Sequence, residues 1–150
     1  SAEETPAVAT QEQYILFSRY QRHRHGDGDM SRMDFSDYQA LIEDTPVETT
    51  LLEFRDSKGR LVAACLTDMM ETGLSAVYSF FDPELQGRSL GTYMILWLIE
   101  RARSLDLTHV YLGFWIAESP KMAYKAKFQP IEIKRSDGWF TFEHAPKSFV

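Results

Sequence analysis

Cysteine is nearly missing from this chain: Cys65 stands alone among 150 residues. One thiol supports neither a disulfide framework nor a self-contained zinc site, so both kinds of stapled domain are excluded. Its setting, Leu61-Val62-Ala63-Ala64-Cys65-Leu66, is an apolar run in which a thiol acts as a small buried hydrophobe. Long apolar runs are missing too. Nothing approaches the ~20 residues needed to cross a bilayer. The start, Ser1-Ala2-Glu3-Glu4, has neither the basic residues nor the apolar core of a secretory signal. A cytoplasmic location is the expectation, and the first residue, Ser in place of Met, suits a processed or trimmed chain. A net positive charge is also lacking. The balance of −6 argues against a generic nucleic-acid binder.

Hydrophobic residues at 44% and charged residues at 25% are enough for one core without staples. Residues 1–10 (SAEETPAVAT) are small, acidic and proline-containing and read as a disordered leader or linker, leaving 11–150 as one domain. The basic residues are unevenly spread. Arg19, Arg22 and Arg24 fall with His23 and His25 in a stretch without acids, and Lys121, Lys125 and Lys127 make a second cluster. Either is a solvated face when taken alone; together they offer a local phosphate-binding surface on an acidic body. His23 and His25 sit two apart on a helix, which points them to different faces, so no metal site is expected there.

Periodicity places helices over 11–24 and 34–43, separated by the breaker Gly26-Asp27-Gly28-Asp29. Strands follow at 49–55 and 61–68 around the turn Asp56-Ser57-Lys58-Gly59, then at 74–81, where Asp82-Pro83 forces a turn. Residues 89–104 are helical, and Tyr93 to Ile99 is apolar almost all round, which predicts burial on more than one side. A strand over 108–115, central in the sheet, a short helix over 119–127 and a hairpin of 131–134 with 138–143 complete the reading. Trp97, Trp115, Met69, Met70 and Met94 are expected to fill core. The strand–helix–strand unit at 74–115 implies a parallel pair. The fold class is α/β (α+β), a mixed central sheet with helices on both faces.

The most informative local feature is Gly87-Arg88-Ser89-Leu90-Gly91-Thr92, between a strand and a helix, where backbone N–H groups and the helix dipole favour an anion. RSLGTY resembles the R-x-x-G-x-[GA] pyrophosphate loop of the GNAT acyltransferases, except that Tyr93 stands where a small residue is usual. A ring there crowds a pyrophosphate and favours a different acyl donor. Five strings then come in order: QYILFSRYQRHRHGDGDM at 13–30, VYSFFDP at 77–83, RSLGTYMIL at 88–96, VYLGFWI at 110–116 and SPKMAYKAKFQP at 119–130. Together they resemble the C-terminal domain of the arginyl- and leucyl-tRNA–protein transferase family, with the bacterial aspartate/glutamate leucyltransferase branch most similar.

The resemblance implies a GNAT-like domain that takes its acyl group from aminoacyl-tRNA and moves Leu or Arg to proteins beginning with Asp or Glu, marking them for degradation. It implies no cofactor beyond that co-substrate, and a preceding N-terminal domain that nothing here matches. The donor ester is already activated, so the chemistry needs positioning, proton removal and oxyanion donors, and no covalent intermediate. On this basis Lys121, Lys125, Arg19, Arg24 and Arg88 are expected to meet phosphate or the acceptor's acidic side chain. Ser89, Gly91 and Tyr93 would line the donor's phosphate or ribose. Tyr124 would act as general acid, and Asp82 would accept the amine's proton. Each has a plainer reading: Tyr124 packs with Phe128, Asp82 caps a turn, Lys121 is solvated. Two other functions suit the same residues. One is an acetyl-CoA-dependent N-acetyltransferase, the other a non-catalytic module that recognises acidic N-termini or tRNA.

Overall fold

In the computed structural model, which describes residues 1–142, helix α1 (Gln11–Arg24) starts where the sequence supplies a reciprocal cap. Thr10 Oγ1 accepts from Gln13 N–H at 3.3 Å while Gln13 Oε1 accepts from Thr10 N–H at 2.9 Å. Helix α2 (Phe35–Glu43) repeats the device with Asp34 and Asp37. Both helices match their expected spans.

The chain divides into two compact units, Ser1–Gly113 and Phe114–Val150. The first holds a five-stranded sheet in the order β1-β2-β3-β4-β5. Its strands are β1 (Ala2–Pro6), β2 (Thr49–Arg55), β3 (Leu61–Met70), β4 (Gly73–Phe81) and β5 (His109–Tyr111). Neighbours are antiparallel except β4 and β5, which run parallel across helix α3 (Leu90–Ser104), as the strand–helix–strand pattern required.

Alternation along the strands sorts side chains to two faces. Leu51, Ala64, Leu66 and Phe80 pack with Leu16, Phe17, Tyr38 and Ile42 of α1 and α2. Leu52, Phe54, Ala63, Cys65 and Leu74 pack with Met94, Leu98 and Ala102 of α3. The sheet thus carries helices on both faces. Cys65 is 1% exposed, and burial pushes its thiol up to about 11, in keeping with an inert, packed side chain.

Four expectations are corrected. Residues 2–6 of the supposed leader form β1, paired with β2 from Ala2–Phe54 to Pro6–Thr50. Ladder bonds use backbone groups that every residue carries, so an acidic, polar segment serves as an edge strand. Thr5 Oγ1 adds a bond to Leu51 O at 3.0 Å, and Glu4 pairs with Arg101 at 2.7 Å. The strand over 108–115 shrinks to the three residues of β5 and lies at the sheet's edge, since Gly113 at φ +72 leaves the extended region. Helix α3 is buried on one face only, because Tyr93 and Leu96 on its other face stay about half exposed. Met70 is also largely exposed, whereas Met69 and Trp97 pack against the α3-side core.

The second unit is built from turns. A 3-10 turn, Ala123–Lys127, stands where a short helix was expected, and a hairpin of β6 (Glu132–Arg135) and β7 (Gly138–Thr141) follows. Pro120 and Pro130 bracket the stretch, and i→i+3 bonds such as Lys125 N–H to Met122 O at 3.1 Å close its turns. Trp115 lies outside any strand and meets the ring of Phe142 at 5.4 Å. Residue 143 of the expected hairpin lies outside the described residues. Among the described residues no helix is long and apolar enough to cross a membrane.

Candidate functional site

The C-terminal end of β4 gathers the sequence-predicted residues of the first unit. Asp82 follows the strand directly, with its N–H bonded to Val62 O at 2.8 Å. Its Oδ1 accepts from Glu84 N–H at 3.1 Å, closing the turn that Pro83 begins. The same oxygen accepts from Arg19 Nη2 at 3.2 Å, and Glu84 Oε1 lies 3.4 Å from that nitrogen. The Asp82 side chain is 2% exposed against 37% for Arg19. One carboxylate therefore anchors a guanidinium whose outer part reaches solvent. The structure brings Arg19 and Asp82 together, with the carboxylate buried and the guanidinium partly exposed.

Arg88 ends the 3-10 turn Pro83–Arg88 and is exposed, and Ser89 follows as the N-cap of α3. Ser89 takes a left-handed conformation (φ 51, ψ 42), offers no side-chain cap, and is followed by no acid in the first turn. The first helical bond runs from Tyr93 N–H to Ser89 O at 3.0 Å. The N–H groups of Leu90, Gly91 and Thr92 thus open the helix without the carboxylate or hydroxyl that covers α1 and α2, which leaves the positive end of the dipole available to an anion. Tyr93 turns its ring edge-on to Phe54, with centroids 5.7 Å apart, and remains 53% exposed.

Beside this helix start, β4 changes its pairing. Its partners on β3 step from Ala76 opposite Thr67 to Tyr78 opposite Leu66, which leaves Val77 as the extra residue of a bulge. On the other side β5 pairs only with Gly73, Leu74 and Ser75. From Ala76 to Phe81, β4 has no strand neighbour on that side within the first unit. Beyond Ser75 the main chain of β4 thus has no ladder partner from the first unit on that side, and a strand edge of that kind can hold an extended ligand or meet developing negative charge on oxygen.

Sequence reasoning gave no role to a polar pair on the α1 face. Gln21 of α1 is fully buried and its amide donates to the hydroxyl of Tyr78 on β4, while its Oε1 finds no partner among the described residues. Burial raises the Tyr78 phenol, against the opposing pull of the Gln21 bond and the charge of Arg24, so it stays a proton donor. Arg24 itself sits 5.7 Å over the ring of Tyr20. The signal for this pair was a glutamine four residues after Phe17, on the face of α1 that the aromatics bury. A second network, also unforeseen, joins the buried Glu53 to Gln13 at 2.8 Å and to Arg55 at 2.7 Å, with Arg55 forking onto Glu12. It lines a crevice of about 340 Å³ with Thr5, Pro6 and Val8, and its two carboxylates share the one guanidinium of Arg55.

Lys121, Tyr124 and Lys125 belong to the second unit. Lys121 is exposed and precedes the 3-10 turn, so it does not share a helical face with Lys125 as expected. Lys125 is half-buried and donates from Nζ to Phe114 O at 2.9 Å; burial lowers its affinity for the proton. Tyr124 is half-buried within the turn.

Residues 12–135 match the family described as arginine-tRNA-protein transferase, C terminus. The chain is 55% identical over 142 residues to the aspartate/glutamate leucyltransferase of Paramagnetospirillum magneticum, and 56% identical over 144 residues to that of Rhodospirillum rubrum. Each match covers 95% of this chain and 58% of the relative, so the chain spans a little over half the length of these curated relatives. Among solved structures it resembles a putative acyl-CoA N-acyltransferase from Klebsiella pneumoniae (TM-score 0.60, 15% identity, 99% of this chain and 91% of that one). It also resembles the ribosomal-protein-S18-alanine N-acetyltransferase from Escherichia coli (TM-score 0.63, 12% identity, 100% and 99%). These likenesses show the fold, that of the GNAT-type acyltransferases, in agreement with the sequence.

Proposed function

The chain belongs to the arginine-tRNA-protein transferase family, as its C-terminal part, and from that premise we propose that it moves an aminoacyl group, Leu in preference to Arg, from aminoacyl-tRNA to the N-terminal α-amine of proteins beginning with Asp or Glu. The observation that carries this reading is the 55–56% identity to proteins named aspartate/glutamate leucyltransferase, over 95% of the chain. The product would be a protein marked for degradation, made in the cytoplasm.

The reaction needs little covalent help. An α-amine with a pKa of about 8 is partly neutral at cell pH. Its nitrogen attacks the ester carbonyl carbon, a C–N bond forms, and the carbonyl oxygen takes the charge. The C–O bond to the ribose then breaks, and the proton released by nitrogen ends on the ribose hydroxyl. No metal or prosthetic group enters that balance. Main-chain N–H groups on the open rim of β4 are suited to the oxyanion. The uncapped start of α3, with Arg88, Ser89, Gly91 and Tyr93, is suited to the donor's phosphate and ribose. Arg19, held by Asp82 and Glu84, and Arg24 are suited to the acceptor's carboxylate. In the second unit Lys121 and Lys125 would meet RNA phosphate and Tyr124 would return the proton to the leaving oxygen.

Incubation with a peptide beginning with Asp and with leucyl- or arginyl-tRNA tests the reading. Leucine on the α-amine is the expected product. Transfer from neither tRNA, together with acetylation from acetyl-CoA, would replace it with the acetyltransferase reading.

A further inference from the structure

Arg19 meets two carboxylates on a single nitrogen. Its Nη2 donates to Asp82 Oδ1 at 3.2 Å, and Glu84 Oε1 lies 3.4 Å from the same atom. Among the described residues, Nε and Nη1 of Arg19 make no hydrogen bond and no ion pair.

The two carboxylates are held differently. The Asp82 side chain is 2% exposed, and the oxygen that meets Arg19 also accepts the Glu84 N–H, so it is fixed from two sides. Glu84 is fixed through its main chain alone. Its N–H is bonded to Asp82 Oδ1, and Leu85 N–H, bonded to Asp82 O at 3.0 Å, closes the turn around it. The Glu84 side chain is 76% exposed and, among the described residues, has Arg19 as its one ion-pair partner. An exposed pair of this kind is weak, because water competes for both charges and a long side chain must be held still.

Guanidinium chemistry decides which contact can persist. A carboxylate that accepts two parallel N–H bonds lies on the Nε/Nη2 edge or on the Nη1/Nη2 edge, and both edges include Nη2. An incoming carboxylate therefore cannot fork onto Arg19 while Asp82 and Glu84 both crowd that nitrogen. It would also set three carboxylates around one cation. One of the two must leave, and the solvated Glu84 is the one free to swing away.

We infer that Glu84 is a displaceable stand-in for the acceptor's carboxylate: it occupies Arg19 until an N-terminal Asp or Glu takes the guanidinium in a forked pair, and it returns as the product departs. The inference rests on the proposed reading of Arg19 as the site of the acceptor's carboxylate, and adds the group that competes for it. An acceptor beginning with Asn brings no charge to replace the pair it would break, so it leaves Glu84 in place.

The test titrates the 150-residue chain with a fluorescent peptide beginning with Asp and with its counterpart beginning with Asn, then repeats both with Glu84→Gln. The Asp peptide should bind this variant about two- to five-fold more tightly than the parent, with the Asn peptide and the thermal melt unchanged. Glu84→Asp keeps the charge but falls one methylene short of Nη2, so it should gain affinity much as Glu84→Gln does. A long-range effect of charge would instead leave it at the parent's affinity. In an Arg19→Gln background the gain from Glu84→Gln should vanish. An Asp peptide that binds Glu84→Gln no better than the parent, an equal gain for the Asn peptide, or Glu84→Asp at the parent's affinity overturns the stand-in and leaves the reading of Arg19 intact. No preference for Asp over Asn in the parent chain overturns both. Asp-selective binding that depends on Arg19 and Glu84, without transfer from leucyl- or arginyl-tRNA, would sustain the stand-in and sink the proposed reaction.

Discussion

Strand β4 follows two rules along its nine residues. From Gly73 to Ser75 it is held on both sides, by β3 and by β5, so closely that a methyl group on Gly73 would lie 2.3 Å from His109 O. Past the bulge at Val77 it is held on one side only, and the same end carries the Arg19–Asp82 pair and the uncapped start of α3. The closed half spends its backbone on stability. The open half keeps main-chain groups and a helix dipole for something else. Helices α1 and α2 have reciprocal caps, and α3 has none.

Four substitutions break or sharpen that contrast. Gly73→Ala attacks the closed half. The obstacle is main chain, so β5 must shift, and a loss of about 1–3 kcal/mol is expected, toward the upper end, read as a fall of about 2–4 °C in Tm per kcal/mol. Arg19→Ala attacks the open half. It leaves the buried Asp82 carboxylate without its cation; because Arg19 is 37% exposed, water repairs part of this and about 1–2 kcal/mol is expected in a denaturant titration. Transfer should fall in the same variant, and Arg19→Lys should recover stability before it recovers transfer. Thr10→Ala removes the cap of α1 and should cost about 1 kcal/mol with transfer unchanged. Thr92→Glu puts a carboxylate in the first turn of α3. It should raise stability by about 0.3–1 kcal/mol while lowering affinity for aminoacyl-tRNA. If that variant gains stability and loses no affinity, the helix start is not the donor's site.

Much of this was legible in the sequence. Periodicity gave α1, α2 and α3 nearly to the residue, and Asp56-Ser57-Lys58-Gly59 and Asp82-Pro83 marked where β2, β3 and β4 turn. Those signals are local, so a window of a dozen residues contains them. Strand β1 was hidden because its pairing with β2 is a backbone matter between segments almost fifty residues apart, and Ala2–Pro6 has the composition of a tail. The length of β5 was misjudged because Val110-Tyr111-Leu112-Gly113-Phe114-Trp115 reads as an apolar strand, while Gly113 at φ +72 ends it early. At the site, residue types pointed to the RSLGTY turn and to Arg19 and Asp82, yet not to their being partners. The pair Gln21 and Tyr78 stayed unseen because a buried amide announces itself only when its neighbours are known. The open rim of β4 was beyond reach, since a bulge at Val77 leaves no residue-type signature.

Cys65, sealed in the middle of β3 with its thiol pushed up to about 11, is a gauge already fitted to the molecule. A thiol reagent added at neutral pH finds nothing to attack until the sheet comes apart around that sulfur. The labelling rate therefore counts openings of the sheet, one molecule at a time, in the unaltered chain.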